Sequence, residues 1–127
     1  MFHMLHRHDQ QTGAIAQVEF EGGPYGAGIS FFVGELAPGK GPGLHRHPYA
    51  ETCIIHSGRA LMTVGGEETV AGPGDIVVIE PAVPHRFTAI GDEKLFAVAV
   101  HASDRFIIEW LGEEPASEGP DTARVVR

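Results

Sequence analysis

Short apolar runs, separated by glycine and proline clusters, recur at regular intervals between residues 30 and 100. The clusters GGE, GPGD, EPAVP and IGDEK each separate two runs of strand length. The chain has 17 Gly and 9 Pro among its 127 residues, and this composition favours strands joined by tight turns over helices. Evenly spaced short strands are typical of a β-sandwich or barrel. The sequence therefore predicts an all-β antiparallel domain.

The length predicts a single domain, large enough to bury a core without disulfides or a structural zinc. We expect residues 1–13 to be a flexible, histidine-containing N-terminal arm, residues 14–112 to form one barrel domain, and residues 113–127 to be a flexible C-terminal tail. Alternation of apolar and polar residues predicts a first strand at 14–20, and the run ISFFVGEL predicts a second at 29–36.

The segment SDRFIIEWLG, residues 103–112, has a different pattern. Its apolar residues include two pairs spaced four apart, Phe106 with Trp110 and Ile107 with Leu111. With capping residues at its start and a glycine at its end, the segment predicts a short amphipathic helix. Because Ile107 and Ile108 are β-branched, a final strand is the alternative.

Charge and cysteine content limit the partners. Nine Lys and Arg against 17 Asp and Glu give a net charge of -8, which disfavours nucleic acid and anionic membranes and leaves a small molecule as the expected partner. Cys53 is the single cysteine and cannot form an internal disulfide. The N-terminal residues lack the apolar run of a signal peptide, and no run approaches the ~18 apolar residues of a membrane span. We therefore expect a cytoplasmic protein.

The segment GLHRHPYAETCIIHSG carries the candidate site. On a strand, His45 and His47 present their imidazoles on one face, and Glu51 returns to that face by parity. Two largely neutral imidazoles can hold a divalent metal. His85 is the best candidate for a fourth ligand, because PAVPH ends a turn where a new strand begins. The alternative is that His45 and His47 are ordinary surface histidines.

Three imidazoles and a carboxylate suit Fe, Mn, Ni, Co, Cu or Zn. Such a ligand set usually leaves one or two coordination positions open, as catalysis or ligand binding requires.

The segment GKGPGLHRHPYAETCIIHSG resembles the first motif of the cupin superfamily, G(x)5HxH(x)3E(x)6G. Every fixed position is matched, by Gly39, His45, His47, Glu51 and Gly58. The segment GDIVVIEPAVPHRFTA is similar to the second motif, with Gly74 and His85 in register. It departs from that motif at three positions, with Glu80 for the proline (Pro81 follows), Ala82 for the second glycine and Ala89 for the asparagine.

The resemblance is to small single-domain bacterial cupins. It implies a jelly-roll barrel with one divalent metal bound by His45, His47, Glu51 and His85, and a homodimer in which strand 14–20 could pair across the two subunits. It also implies a metal-dependent enzyme of oxygenase type acting on a small organic substrate. An isomerase or decarboxylase on the same scaffold, and a non-catalytic module that binds a metal or small molecule, are alternatives. No catalytic acid, base or nucleophile beyond the metal ligands is identified.

Other residues have less definite roles. By parity, His56 should face away from the metal, and Cys53 should line the cavity as an inert thiol. Tyr49 could either reach the cavity mouth or pack at the rim, and His101 is expected outside the barrel. We expect these apolar residues to form the wall: Phe31, Val33, Met62, Phe87, Phe96 and Val98. Such a wall would favour an aromatic or aliphatic ligand.

Overall fold

Two five-stranded antiparallel sheets face each other in the computed structural model, which describes residues 1–13 and 16–112. In spatial order, the first sheet consists of β1 (Ala16–Glu21), β2 (Ser30–Leu36), β9 (Leu95–His101), β4 (Glu51–Ser57) and β7 (Ile76–Ile79). The second consists of β10 (Glu109–Trp110), β3 (His45–Arg46), β8 (His85–Ile90), β5 (Arg59–Val64) and β6 (Glu67–Ala71). Short 3-10 helices lie at Arg7–Asp9 and Gly23–Tyr25. The predicted all-β antiparallel architecture is confirmed.

The predicted turn clusters separate consecutive strands from β5 to β9. Another turn, between β4 and β5, requires a glycine at position 58. Gly58 has a φ of +78°, and a Cβ there would overlap the carbonyl group of Lys94. The turn therefore depends both on the left-handed conformation that glycine adopts freely and on the space that a side chain would occupy.

The core lies between the sheets and extends to one end of an internal cavity. Its buried residues are Leu36, Cys53, Ile55, Ala60, Met62, Ala71, Ile79, Ala89 and Leu95. Met62, Phe87 and Val98 line the cavity as predicted.

The inward faces of β2 and β9 differ from the prediction. Phe32 and Leu36 of β2, and Leu95, Ala97 and Ala99 of β9, are buried in the core or packed against it. In contrast, Phe31 stacks on Phe20 of β1, and Phe96 contacts the exposed His56. The cavity lining contains neither of these two residues nor Val33, so the assignment of Phe31, Val33 and Phe96 to the wall is wrong. On β2 the inward positions are those of Phe32, Gly34 and Leu36, and on β9 Ala97 and Ala99 line the cavity while Phe96 lies against His56.

The predicted C-terminal helix is wrong, and the alternative of a final strand is correct. Residues 109–110 pair with β3, and Leu111 N donates to Leu44 O at 3.0 Å. Phe106 and Ile108 are buried with 1% and 2% exposure, so burial follows the two-residue period of extended chain. The β-branched residues fit this conformation, and hydrogen bonds to neighbouring strands replace those of a helix.

The limits of the predicted domain, residues 14 and 112, stay a prediction. Between residues 1 and 13 the structure contains the 3-10 helix already named and an isolated bridge from Gln11 to Glu19 of β1. Residues 14 and 15 and the predicted tail at 113–127 lie outside the described residues. Within the described ranges, no helix has the length and apolar character needed to cross a membrane.

Candidate metal centre

Three histidines and one glutamate from both sheets meet inside the barrel. His45 of β3 pairs directly with His85 of β8, while Glu51 opens β4 in the opposite sheet and His47 follows β3. One ligand atom from each lies within 4.8 Å of the others, and all four residues are buried. Because metal–nitrogen bonds of about 2.1 Å place opposite ligands about 4.2 Å apart, small inward movements suffice for one ion to contact all four.

Backbone carbonyls determine which nitrogen of each histidine carries the proton. The Nδ1 contacts are His45 with Gly43 O at 2.7 Å, His47 with Ile107 O at 2.8 Å and His85 with Val83 O at 2.9 Å. A carbonyl oxygen can only accept a hydrogen bond, so all three Nδ1 atoms are protonated donors. In the neutral rings the lone pairs are therefore on Nε2, and this is the arrangement found in metal-binding histidines.

The Glu51 carboxylate lies at the centre of the cluster. Its Oε1 is 2.8 Å from His47 Nε2 and 3.1 Å from His85 Nε2. The His85 contact has hydrogen-bond geometry, but the His47 contact does not, and His47 Nε2 is buried without a hydrogen-bond partner among the described residues. An unpartnered buried nitrogen beside a carboxylate oxygen fits a shared cation, because both atoms carry lone pairs.

The ionisation states also suit a metal. Burial lowers the pKa of His45 to about 3, with further lowering by His85, so His45 is a neutral ligand. Burial opposes ionisation of Glu51, but His101, His47 and His85 outweigh it and hold the Glu51 pKa well below its usual value. For His85, burial lowers the pKa, yet the hydrogen bond to Glu51 and its charge raise it overall. A metal would replace the proton on His85 Nε2.

His101 belongs to the interior, and its predicted place outside the barrel is wrong. It pairs with Glu51 in the register of β9 and β4, is 2% exposed, and has its Nε2 3.9 Å from Glu51 Oε2. The Tyr49 hydroxyl lies 2.6 Å from His101 Nδ1 and accepts a hydrogen bond from Ile107 N at 3.1 Å. Tyr49 therefore contacts the site through His101. The register between β9 and β4 places His101 opposite Glu51 and so inside the barrel. The sequence alone does not fix that register, so the interior position of His101 could not be predicted.

Cys53 and His56 lie on opposite faces of β4, as parity predicts. Cys53 is buried, lines the cavity, and its thiol donates to Glu51 Oε2 at 3.4 Å. Burial raises the pKa of this thiol well above its usual value, and the Glu51 charge adds to the effect. His56 is exposed on the outer surface. Cys53 therefore lines the cavity as predicted, and we expect its thiol to be unreactive.

The C-terminal segment contacts two of the clustered histidines. Ile107 supplies the carbonyl that holds His47, and the Trp110 ring lies 5.0 Å from the ring of His45. Beside the cluster, the cavity has a volume of about 80 Å³, and Trp110 forms part of its lining.

Comparison with known proteins is consistent with this architecture. A family model described as "Cupin domain" matches residues 32–101, more than half of the chain. The chain belongs to the cupin family. The matched range contains His45, His47, Glu51 and His85, and it ends at His101. No curated protein matches the sequence.

Several solved structures resemble this cupin. An uncharacterized conserved protein with a double-stranded β-helix domain from Klebsiella pneumoniae subsp. pneumoniae is 27% identical, with a TM-score of 0.66, and the match covers 79% of this chain and 80% of that one. A cupin-like protein from Thermotoga maritima is 24% identical, with a TM-score of 0.66 and coverages of 73% and 71%. The oxalate decarboxylase of Lactobacillus farciminis, solved as a formate complex, is 26% identical with a TM-score of 0.67, but only 30% of its length is covered.

Proposed function

We propose that this cupin binds one divalent transition metal per chain and uses it in an oxygenase-type reaction on a small organic substrate. The metal would be held by the Nε2 atoms of His45, His47 and His85 and by the Glu51 carboxylate. The observation that supports this most strongly is the fixed orientation of the three imidazoles. Each Nδ1 donates to a backbone carbonyl, which leaves Nε2 as the ring nitrogen available to a metal, and one ligand atom from each of the four residues lies within 4.8 Å of the others.

The ligand set supports a catalytic rather than a purely structural metal. Three nitrogens and one oxygen leave positions open on a five- or six-coordinate ion such as Fe, Mn, Ni or Co, and Cu and Zn also accept these ligands. When bound, such a metal supplies a Lewis acid and, for Fe or Mn, redox chemistry with O2. The protein positions the ligands, and the cavity beside them has a mostly apolar wall.

The experiment is an oxygen-uptake assay on the iron-loaded protein. The protein is loaded with Fe²⁺ without air and then given O2 with a panel of catechols, thiols and β-diketones. We expect uptake that depends on the substrate and is lost in His47→Gln. The control variant is His56→Gln, which removes an exposed histidine from β4 and should retain the activity.

Two results would contradict the proposal at different levels. Metal binding without turnover of any substrate would favour the non-catalytic binding module. Turnover that persists in His47→Gln would show that the activity does not depend on this cluster.

We also propose a cytoplasmic homodimer. Support for the dimer comes from the outer face of the first sheet, where Ile76 and Val78 of β7 are 64% and 61% exposed beside Ile54 of β4 at 39%. An exposed apolar face on an edge strand is typical of an interface. Light scattering should give twice the chain mass, and Val78→Lys should give the monomer mass. A monomeric wild type would contradict the dimer. The free Cys53 thiol supports the cytoplasm.

A further inference from the structure

The cavity beside the proposed metal is small and almost entirely apolar. Its volume of about 80 Å³ has room for about five to eight water-sized atoms, since one water needs roughly 10–15 Å³. Its apolar lining includes Phe32, Met62, Phe87, Ile108 and Trp110, whereas its polar lining groups cluster around Glu51. A ligand would therefore have one polar end at the metal and an apolar remainder.

Charge limits the polar end. Among the described residues that line the cavity, Glu51 is the one acidic residue and none is Lys or Arg. A divalent metal and the Glu51 carboxylate leave one net positive charge in the cavity. One negative charge on the ligand neutralises it, whereas a second would be buried without a cation, which is costly in an apolar environment.

His101 is oriented to contact that polar end. The Tyr49 hydroxyl accepts from Ile107 N–H, and among the described residues His101 Nδ1, 2.6 Å away, is the remaining partner for its own proton, so we take Tyr49 as the donor to Nδ1. A neutral His101 then carries its ring proton on Nε2, the nitrogen that faces Glu51 Oε2 at 3.9 Å. This tautomer is opposite to that of the three proposed ligands, so His101 presents a donor to the cavity instead of a lone pair.

We propose that the cavity takes a small apolar molecule with a single anionic oxygen-bearing head, a monocarboxylate or an enolate, and that His101 Nε2–H donates a hydrogen bond to that head. This inference rests on the proposed metal site. The proposed ligand therefore differs from a small dianion such as oxalate, after which the structurally similar oxalate decarboxylase of Lactobacillus farciminis is named.

The test uses the Co²⁺-loaded protein and two ligands of the same shape. 2-Methylpropanoate and oxalate have equal numbers of non-hydrogen atoms, and an isopropyl group in the first replaces a carboxylate in the second. Each affinity is measured from the visible Co²⁺ absorption and divided by the affinity of that ligand for free Co²⁺. We expect this ratio to be at least about 15-fold larger for 2-methylpropanoate, since each buried methyl contributes about fourfold.

Variants test His101 itself. His101→Phe should still take up Co²⁺ but bind 2-methylpropanoate about tenfold more weakly, because a hydrogen bond to a charged group is lost. Tyr49→Phe leaves His101 in place and removes the partner that fixes its tautomer. It should weaken binding by about two- to fivefold, and it serves as the test if His101→Phe does not fold.

The outcomes separate the two claims. A ratio equal to or larger for oxalate overturns the ligand class while the metal site stands. Unchanged 2-methylpropanoate affinity in a folded His101→Phe, or in Tyr49→Phe if that variant is the test, overturns the role of His101. Failure of the wild type to bind Co²⁺ overturns the proposed function, and the inference with it.

Discussion

Ala82 adopts a backbone conformation that suits glycine, and replacing it should stabilise the protein. Its φ is +67°, the one positive value outside glycine in the described residues, and it occupies the position where the second cupin motif has a glycine. The side chain is exposed, so its removal leaves no cavity. Its amide donates to His47 O at 2.7 Å, which makes the turn part of the support for the candidate site.

The magnitude of the Ala82→Gly effect follows from two opposing contributions. A left-handed conformation costs a non-glycine residue about 1–2 kcal/mol. The greater freedom of glycine in the unfolded chain offsets about 0.5–1 kcal/mol of this. We expect the free energy of unfolding to rise by about 1 kcal/mol and Tm by about 4 °C.

Urea unfolding of the metal-free protein measures this effect. The midpoint should rise without a change in slope, because the exposed surface is the same. The control is Ala102→Gly, at an exposed position without a positive φ, which should lower stability by about 0.5–1 kcal/mol. If Ala82→Gly destabilised the protein as much as Ala102→Gly, the proposed strain at this turn would be refuted.

Three further predictions concern the core, the thiol and the cavity rim. Ile79→Ala, at 1% exposure, should lower the free energy of unfolding by about 2–5 kcal/mol, whereas Val70→Ala, at 51% exposure, should change it by less than about 0.5 kcal/mol. Similar urea midpoints for the two variants would contradict the assignment of Ile79 to the core. Cys53 should react with a disulfide reagent such as DTNB at pH 8 only after unfolding, because burial raises its pKa; labelling of the native protein within minutes would be the opposite result. Tyr49→Phe should destabilise the protein by about 1–2 kcal/mol, because Ile107 N and His101 Nδ1 lose their partner; an unchanged urea midpoint would show that these hydrogen bonds contribute nothing.

Local spacing explains why four clustered residues could be predicted from the sequence. His45, His47 and Glu51 lie within seven residues, so they had to fall close together, although a turn places Glu51 on β4 of the opposite sheet and not on the same strand face that parity predicted. His85 is more distant, but a turn followed by a new strand fixes its position at a strand start. Gly58 and the turn clusters could likewise be recognised from neighbouring residues alone, and they set the ends of the strands.

Features that depend on pairing between distant strands could not be predicted in the same way. In β9 the large Phe96 suggested an inward position, whereas Phe96 contacts His56 and Ala97 and Ala99, which share the parity of His101, line the cavity. A cavity needs small residues along part of its wall, so side-chain size is a poor guide to the inward face. In the C-terminal segment, the spacing of Phe106 and Trp110 fits both a helix and a strand, and pairing with β3 decides between them.

The central claim is that His45, His47, Glu51 and His85 bind one metal. Its most direct test is calorimetric titration of the metal-free protein with Co²⁺, alongside Glu51→Gln, His85→Gln and the surface control His56→Gln. We predict one Co²⁺ per chain for wild type and His56→Gln, with at least about a tenfold loss of affinity in each of the other two variants. Equal Co²⁺ affinity in all four proteins, or no binding by the wild type, would contradict the account.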